Sequence, residues 1–291
     1  MGSEDTGTDR IGQIVADRYE LQRVLGVGGA GTVYEALHRY TNRSVALKVM
    51  HPHLSGARDA VSRFLREARA AAAVGHPGIP QVLDAGPMED GRPYIVHELL
   101  EGRTLESAIE SGELTEADVT RIGLRLLDVL AAAHERGIVH RDVKPDNVFL
   151  VRGADDALDV RLLDFGVAKN LQSVETSGVL TKPGTTVGTP HYMSPEQARA
   201  HQVDARTDVW AVGAVLFHAR AGRPPFDEQS LPLLLMRLVT QRPPHLREVV
   251  PDAAPHLARA VDGALEPDRE KRWPSAKAMS DALSSPSSPD R

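Results

Sequence analysis

The spacing of apolar residues changes once along this chain, from a strand-like pattern in the first third to a helical pattern beyond it. Residues 19–25 and 32–37 flank a glycine cluster as in a hairpin, and residues 44–50 predict a third strand rich in Val and Leu. A helix is predicted over residues 60–73, where apolar residues recur at helical spacing and an alanine run favours it. A small sheet lobe followed by a larger helical lobe predicts an α+β fold with a cleft at the join.

Start and stop signals set the predicted ends of the later helices. Thr115 and Asp118 form a capping-box-like start, and Gly137 suits the C-terminal cap of the same helix. Ser275 is predicted to cap the last helix. The remaining predicted elements are strands at residues 82–85 and 94–100 and helices at residues 208–221 and 231–240.

The composition is that of a globular protein that can bury a core, with 41% hydrophobic and 25% charged residues. The net charge of −6 does not suggest a nucleic-acid binder, which is usually basic. The absence of cysteine excludes disulfides, thiolate metal sites and a cysteine nucleophile, and it fits a reducing compartment.

The ends of the chain and its apolar runs bear on location. No apolar run is long enough for a transmembrane helix, and the polar start does not resemble a signal peptide. We therefore expect a cytoplasmic chain. Residues 1–18 are predicted to be a flexible lead-in, and the Ser/Pro-rich residues 284–291 a disordered tail.

The glycine cluster at residues 26–33 matches the pattern G-x-G-x-x-G-x-V. Glycines let a backbone approach phosphate groups closely and direct N–H groups at them. Alone this signal is weak, because a glycine-rich hairpin turn explains it equally well. A dinucleotide-binding interpretation requires a helix directly after the loop, whereas residues 32–37 continue as a strand.

Lys48 ends the apolar strand that follows the glycine cluster. A lysine there can place its positive charge on phosphate oxygens, although most lysines at strand ends are simply solvated. Glu67, on the predicted helix, could pair with Lys48 and hold it in register. Arg63, Arg66 and Arg69 are equally available partners for Glu67.

The run from His140 to Asn147, HRDVKPDN, is the most informative stretch of the sequence. Pro145 prevents a regular helix, so the run is predicted to be a loop. Asp142 can accept the proton of a substrate hydroxyl, and Lys144 can bind the transferred phosphoryl group. Asn147 offers a carbonyl oxygen to a hard cation such as Mg²⁺.

Asp164 begins the tripeptide Asp-Phe-Gly, after a short strand predicted at Leu162 and Leu163. A carboxylate at such a strand end is placed to hold Mg²⁺ against the phosphates of a nucleotide. The tripeptide is common by chance, but its order and its distance from the preceding loop favour this interpretation.

Together these motifs resemble the eukaryotic-type (Hanks-type) protein kinases, and most closely their bacterial Ser/Thr members. The resemblance covers residues 19–283, with an N-lobe of about residues 19–98 and a C-lobe of about residues 99–283, and it includes the segment GTPHYMSPE at residues 188–196. It implies a two-lobed fold with a small, mostly antiparallel β N-lobe that carries one helix, and a larger helical C-lobe. It also implies transfer of the γ-phosphoryl group of ATP to protein hydroxyls, with Mg²⁺ or alternatively Mn²⁺. Lys144 with Gly188 and Thr189 is similar to the Ser/Thr rather than the Tyr subfamily.

The resemblance implies roles position by position. Lys48 would bind the α- and β-phosphates and pair with Glu67. Asp142 would be the catalytic base, and Asn147 and Asp164 would bind the metal. Glu98 and Leu100 would contribute backbone hydrogen bonds to the adenine. The nucleotide-binding residues that it implies are Leu25, Gly26, Val27, Gly28, Gly29, Ala30, Gly31, Val33, Ala46, Lys48, Glu98, Leu100 and Phe149.

Other residues would shape or regulate such a site. Glu196 would pair with Arg272, and Asp208 would brace the backbone of residues 140–147, the catalytic loop of the family. Arg141 implies control by phosphorylation, because a guanidinium next to the base can clamp a phosphate. Thr189 is interpreted as structural. Autophosphorylation is expected at Thr181, Thr185 or Thr186, with Thr176 and Ser177 as weaker candidates.

The sequence departs from the family pattern at three places. His97 stands at the back of the implied adenine pocket, where the family usually has Met, Thr or a larger hydrophobic residue. Ser194 stands where the family usually has alanine. Residues 152–161 look like an insertion that forms a longer surface hairpin around residues 154–156.

Two other functions compete with that of a protein kinase. A pseudokinase scaffold would be favoured if Lys48, Asp142, Asn147 or Asp164 were missing, and all are present. A small-molecule kinase would have no need for an activation segment that shapes a groove for a peptide. Protein substrates are therefore the expected partners, a homodimer is implied only by the resemblance, and neither nucleic acid nor a membrane segment is expected.

Overall fold

The structure of the chain is a computed structural model that describes residues 8–153, 157–165 and 190–285. The chain divides into two compact units, Met1–Glu101 and Gly102–Arg291. An antiparallel sheet dominates the first unit, whereas most elements of the second are helices. The predicted α+β class is therefore confirmed.

The sheet of the first unit has six strands in the order β1-β2-β3-β4-β6-β5, and neighbouring strands are antiparallel. Its strands are β1 (Ile14–Val15), β2 (Tyr19–Val27), β3 (Gly31–His38), β4 (Arg43–Met50), β5 (Val82–Pro87) and β6 (Pro93–Glu98). All the strands that the sequence predicted in this region are present, with ends that differ by a few residues.

A helix of the first unit packs on the sheet, against the strand that carries Lys48. The helices of this unit are α1 (Pro52–Ser55) and α2 (Arg58–Val74). Phe64 and Ala68 of α2 pack with Met50 and Ile95 of the sheet in a buried cluster. Burial of these apolar side chains therefore holds α2 against β4 and β6.

The described part of the predicted flexible lead-in contains a strand. Ile14–Val15 pairs with the start of β2, and Val15 is buried. Tyr19, at the start of β2, donates a hydrogen bond of 3.0 Å to Asp84. The predicted lead-in therefore includes a short strand that pairs with the sheet. A two-residue strand is too short to show the alternation on which a strand prediction depends.

The second unit is built around α4. Its helices are α3 (Leu105–Glu110), α4 (Glu116–Glu135), α5 (Pro195–Ala198), α6 (Arg206–Ala221), α7 (Leu231–Thr240), α8 (Leu246–Val249), α9 (Pro255–Ala264) and α10 (Ala276–Ser284). Thr115 and Asp118 form the predicted capping box, and Gly137 after the helix has a φ of 70°. α4 packs against α6 and α10. Across the residues that the structure describes, no helix combines the length and the apolar character needed to cross a bilayer.

Three short strands complete the second unit. β7 (Arg103–Thr104), β8 (Val148–Arg152) and β9 (Leu158–Leu162) form an antiparallel sheet in the order β7-β8-β9. β8 and β9 are the two arms of the predicted hairpin, and they pair up to Arg152 and Leu158. Residues 154–156, at its predicted tip, lie outside the described residues.

Candidate active site

Gly31 is required by packing within the first unit. It lies opposite Met50 in the register of β3 and β4. A Cβ on Gly31 would lie 2.2 Å from the carbonyl oxygen of Val49, which is closer than a side-chain carbon can approach backbone. This glycine is therefore needed by the fold itself.

We expect Gly31→Ala to lower the free energy of unfolding by about 1–3 kcal/mol, because the added methyl group must displace backbone. Gly29→Ala is the matched control, because a Cβ there would meet nothing within 4 Å. Its change should stay within about 0.5 kcal/mol. Urea unfolding of both variants measures the difference, and equal losses would contradict the packing argument.

The other glycines of the loop have room for a side chain. A Cβ on Gly26 or Gly29 would meet nothing within 4 Å, and on Gly28 the nearest atom is a backbone oxygen at 3.7 Å. None of the three adopts a left-handed φ. Neither conformation nor packing therefore explains these glycines. Leu25 and Val27 beside them are exposed apolar residues.

Lys48 lies on β4 and contacts helix α2. Its Nζ is 3.5 Å from Oε2 of Glu67 and 5.9 Å from the centre of the Phe64 ring. Only 9% of the Lys48 side chain is exposed, and a charge at this depth is costly without a partner. Of the partners that the sequence offered to Glu67, the structure brings Lys48 within ion-pair distance.

The residues implied to surround the adenine lie along neighbouring strands. Ala46 on β4 pairs in register with His97 on β6, and Val33 on β3 pairs with Lys48. The N–H of Glu98 donates to the carbonyl of Gln81 at 3.0 Å, so it is engaged within the unit.

Two more of these residues are half-buried. Leu100 follows β6 in the first unit. Phe149 belongs to the second unit, on β8, where it pairs with Thr104 of β7.

Asp208, at the start of α6, holds the backbone of the catalytic loop. Its carboxylate accepts the N–H of His140 and the N–H of Arg141, each at 2.8 Å. The ring Nε2 of His134 lies 2.8 Å from the same carboxylate. Arg141 has a φ of 67°, which is strained for a residue other than glycine. Asp208 therefore stabilises a strained backbone directly before Asp142.

His140 is fully buried, and its ring bridges two segments. The N–H of Asp142 donates to Nδ1 at 3.2 Å, so Nε2 carries the hydrogen that is donated to the carbonyl of Leu163 at 2.9 Å. The ring of Phe165 lies 4.8 Å from the His140 ring. One side chain thus connects the catalytic loop with the residues on either side of Asp164.

Asn147 closes the catalytic loop. Its Nδ2 donates to the backbone oxygen of Asp142 at 2.8 Å and to Oδ2 of Asp142 at 3.1 Å. The backbone carbonyl of Asn147 accepts the N–H of Leu163 at 2.8 Å. The predicted loop tightens here into a single 3-10 turn, Pro145–Asn147. Because Nδ2 is committed to Asp142, Oδ1 is the side-chain atom that could meet a cation.

Acidic groups lie near Lys144. Its Nζ is 3.8 Å from Oδ2 of Asp146. Burial raises the pKa of Glu106, and the negative charges of Asp146 and Glu110 raise it further, while Lys144 opposes them. Glu106 is not among the site residues that the sequence predicts.

Asp164 follows β9 and is exposed, with a φ of 44°. Both neighbours are fixed, because the N–H of Leu163 is bonded to Asn147 and Phe165 is buried. Strain of this kind concentrates at functional sites. Gly166, the last residue of the tripeptide, lies outside the described residues.

Glu196 and Arg272 form a buried, two-pronged ion pair. Their two N–H···O distances are 2.7 and 3.1 Å, and the hydroxyl of Thr207 donates to Glu196 at 2.8 Å. Burial alone would raise the pKa of Glu196. The hydrogen bond and the charge of Arg272 outweigh it and hold the pKa below its ordinary value of 4.5.

Ser194, where the family usually has alanine, caps helix α5. Its hydroxyl accepts the N–H of Gln197, and the side chain of Gln197 accepts the N–H of Ser194. The Nε2 of Gln197 also donates to the carbonyl of Arg141 at 2.9 Å. This serine therefore adds a capping box that orients a residue bonded to the catalytic loop.

Several predicted site residues lie outside the part of the chain that the structure describes. They are Thr176, Ser177, Thr181, Thr185, Thr186, Gly188 and Thr189. Their roles in phosphorylation and in shaping a peptide groove stay predictions.

Sequence reasoning missed His134 and Gln197, which both bond to the catalytic loop or to the residue that braces it. His134 lies in the last turn of α4, the helix that leads into the loop. Its place in the last turn of the helix before the loop is a signal from which His134 could have been predicted. Gln197 reaches the loop from far along the chain, and no local pattern marks it.

The second unit has a loop with a strained backbone, in which an asparagine is hydrogen-bonded to an aspartate. The first unit has a lysine–glutamate pair on the sheet that carries the glycine loop. Together these features define the class of the protein kinases. The family model of the protein kinase domain matches residues 19–283. The chain belongs to this family, as its motifs predicted.

Curated relatives and solved structures agree with this assignment. The Ser/Thr-protein kinase pkn3 of Myxococcus xanthus is 36% identical over 282 residues, which cover 96% of this chain and 51% of that protein. Pkn1 of Myxococcus xanthus is 39% identical over 265 residues, covering 91% and 38%. The PknI kinase domain of Mycobacterium tuberculosis gives a TM-score of 0.71 at 29% identity, covering 94% of this chain and 97% of that one. The chain thus spans about half, or less, of the length of these curated relatives.

Proposed function

We propose that this chain is the catalytic domain of a Ser/Thr protein kinase, which transfers the γ-phosphoryl group of ATP to hydroxyl groups of proteins. The catalytic loop carries the proposal, since Asp208 holds the backbone before Asp142 and Asn147 bonds to Asp142 itself. A carboxylate fixed in this way can accept the proton of a substrate hydroxyl as its oxygen attacks phosphorus. The names of the curated relatives support the same activity.

Groups in the first unit suit the phosphates and the base of ATP. Lys48, paired with Glu67, would bind the α- and β-phosphates. Phosphates that approach the loop backbone would explain the glycines that neither φ nor packing requires. The proposed base and loop contacts in this unit are Leu25, Gly26, Val27, Gly28, Gly29, Ala30, Gly31, Val33, Ala46, Glu98 and Leu100. The family resemblance adds Phe149 of the second unit. His97, next to Ala46, would affect which inhibitors fit.

Groups in the second unit suit a hard metal ion. Oδ1 of Asn147 and the carboxylate of Asp164 are oxygen ligands of the kind that Mg²⁺ and Mn²⁺ accept. Among the described residues no group of three or more His, Cys, Asp or Glu could hold a metal ion. We therefore expect most ligands to come from ATP phosphates and water. The bound ion would neutralise phosphate charge during transfer.

The proposal extends to substrates and regulation. Protein Ser/Thr residues are the proposed acceptors, with Lys144 binding the transferred group. Autophosphorylation at Thr181, Thr185 or Thr186 would give Arg141 a phosphate to clamp. A cytoplasmic location and a homodimer belong to the proposal, supported by composition and by the family resemblance respectively.

Lys48→Met tests the proposed activity. We expect transfer of labelled phosphate from ATP to a generic basic protein to fall about a hundredfold or more, because a phosphate-orienting charge is lost. Lys277→Met is the matched control, since Lys277 is an exposed lysine whose partner is Asp281 on the same helix. Near wild-type transfer by Lys48→Met would show that Lys48 is not part of the active site. Absence of transfer by the wild type would favour a scaffold without catalysis.

A further inference from the structure

His51 holds the glycine loop from outside the loop itself. Its ring Nε2 lies 2.8 Å from the carbonyl oxygen of Gly28. Its backbone N–H donates to the carbonyl of Ala30 at 3.1 Å. Within the loop, the N–H of Gly28 donates to the carbonyl of Gly31 at 2.9 Å. Residue 51 therefore fixes two carbonyls of a segment whose glycines restrict the backbone little on their own.

The ring of His51 is itself oriented. His51 directly precedes α1, whose first residue, Pro52, has a restricted φ. The ring of His53 stacks on it, with ring centres 5.5 Å apart and planes inclined by 17°. Because a carbonyl only accepts, Nε2 must carry a hydrogen, which it does in one neutral tautomer and in the protonated ring.

Holding the carbonyl of Gly28 also fixes the direction of a neighbouring donor. In a trans peptide, the C=O of one residue and the N–H of the next point to opposite sides of the chain, and the described residues contain no cis peptide. The N–H of Gly29 is therefore turned away from His51. Gly29 is exposed, and a side chain there would meet nothing within 4 Å, so a phosphate group can approach it.

We propose that His51 is a positioning residue for nucleotide binding, which presents the N–H of Gly29 to a phosphate group of ATP by holding the carbonyl of Gly28. The inference deepens the proposed function and rests on it. Without the ring, the peptide between these glycines can turn over and point a carbonyl oxygen at the phosphate instead of a donor. The effect should therefore fall on phosphate-bearing ligands and not on the base.

His51→Ala is expected to raise the Kd of the Mg²⁺ complex of AMP-PNP, a non-hydrolysable ATP analogue, by about three- to tenfold, the value of one net hydrogen bond. The KM for ATP should rise by a similar factor, with kcat changed less than about twofold. The Kd of adenosine, which carries no phosphate, should not change. Calorimetry measures both Kd values, and a role limited to supporting the fold would weaken both ligands alike.

Two conservative variants sharpen the test. His51→Gln places an amide N–H near the position of Nε2 and should restore AMP-PNP affinity, whereas His51→Asn places it near Nδ1 and should not. His201→Ala is the matched control, an exposed histidine of the second unit. All variants should melt within a few degrees of the wild type.

The outcomes separate this inference from the proposed function. If the wild type binds AMP-PNP, and His51→Ala and His51→Asn bind it equally well, the inference is overturned while the proposed function stands. Parallel losses of AMP-PNP and adenosine affinity would also overturn it, since they indicate a structural role. If the wild type does not bind AMP-PNP at all, the proposed function fails and the inference fails with it.

Discussion

Replacing Asp142 with asparagine should lower phosphate transfer to protein by about 10²- to 10⁴-fold, the contribution of a positioned general base. The amide cannot accept a proton from the attacking hydroxyl, yet it has nearly the same shape as the carboxylate. The backbone bonds of Asp142 to His140 and Asn147 do not involve its carboxylate, so they survive the change. An oxygen that accepts from Nδ2 of Asn147 can also be kept.

The variant should therefore lose phosphate transfer but keep its fold and its affinity for the nucleotide. Transfer of labelled phosphate measures the first, and the melting temperature with the Kd of Mg–AMP-PNP measures the other two. Asp59→Asn, at an exposed aspartate in the first turn of α2, makes the same chemical change elsewhere. Activity of Asp142→Asn within about threefold of the wild type would show that another group accepts the proton. If transfer is lost as expected, a phosphoproteomic comparison of Asp142→Asn with the wild type would point to the protein substrates.

The motifs could be predicted from the sequence because each depends on residues close together in the chain. Pro145 limits the local backbone, and Thr115 with Asp118 caps a helix within one turn. The family resemblance then supplied pairs such as Glu196 with Arg272, which no local rule would connect. In these cases the information lay in residue identity at fixed spacing.

The supporting contacts could not be predicted, because they depend on tertiary packing. His134 meets Asp208, and Gln197 meets Arg141, across long stretches of chain. Only the register of β3 and β4 reveals that Gly31 faces the carbonyl of Val49. The positive φ of Arg141 is likewise a product of the contacts around it, since an isolated arginine avoids that region.

Arg272→Ala should destabilise the second unit by about 3–5 kcal/mol, the usual cost of breaking a buried ion pair by removing one partner. The Arg272 side chain is fully buried, and it makes bonds besides those to Glu196. Its Nη1 donates to the carbonyl of Arg206 at 2.8 Å, and its Nε donates to the carbonyl of Glu266 at 3.1 Å. Its guanidinium also lies 5.1 Å from the centre of the Trp210 ring. Truncation therefore removes one donor from each of two carbonyls and takes the cation from the Glu196 carboxylate, which keeps the hydrogen bond from the Thr207 hydroxyl.

The pH dependence of this loss separates the ion pair from simple packing. In the wild type the pKa of Glu196 lies below 4.5, so the pair contributes fully above that pH and its contribution is lost as the pH falls below it. In Arg272→Ala, burial without the cation raises the pKa of Glu196, and protonation then relieves the buried charge as the pH falls. The difference in unfolding free energy between the two proteins should thus be largest near pH 7 and shrink toward pH 5.

Urea unfolding at both pH values measures this difference. Arg269→Ala serves as the matched control, because 41% of its side chain is exposed and its ion pairs lie at the surface. Exposed pairs contribute about 0–1 kcal/mol, so this variant should unfold close to the wild type. A loss for Arg272→Ala that is the same at pH 7 and pH 5 would assign it to lost packing and hydrogen bonds. If the difference in unfolding free energy is instead smaller at pH 5 than at pH 7, the variant contains a carboxylate at Glu196 without its cation. Only the loss of its cationic partner produces this.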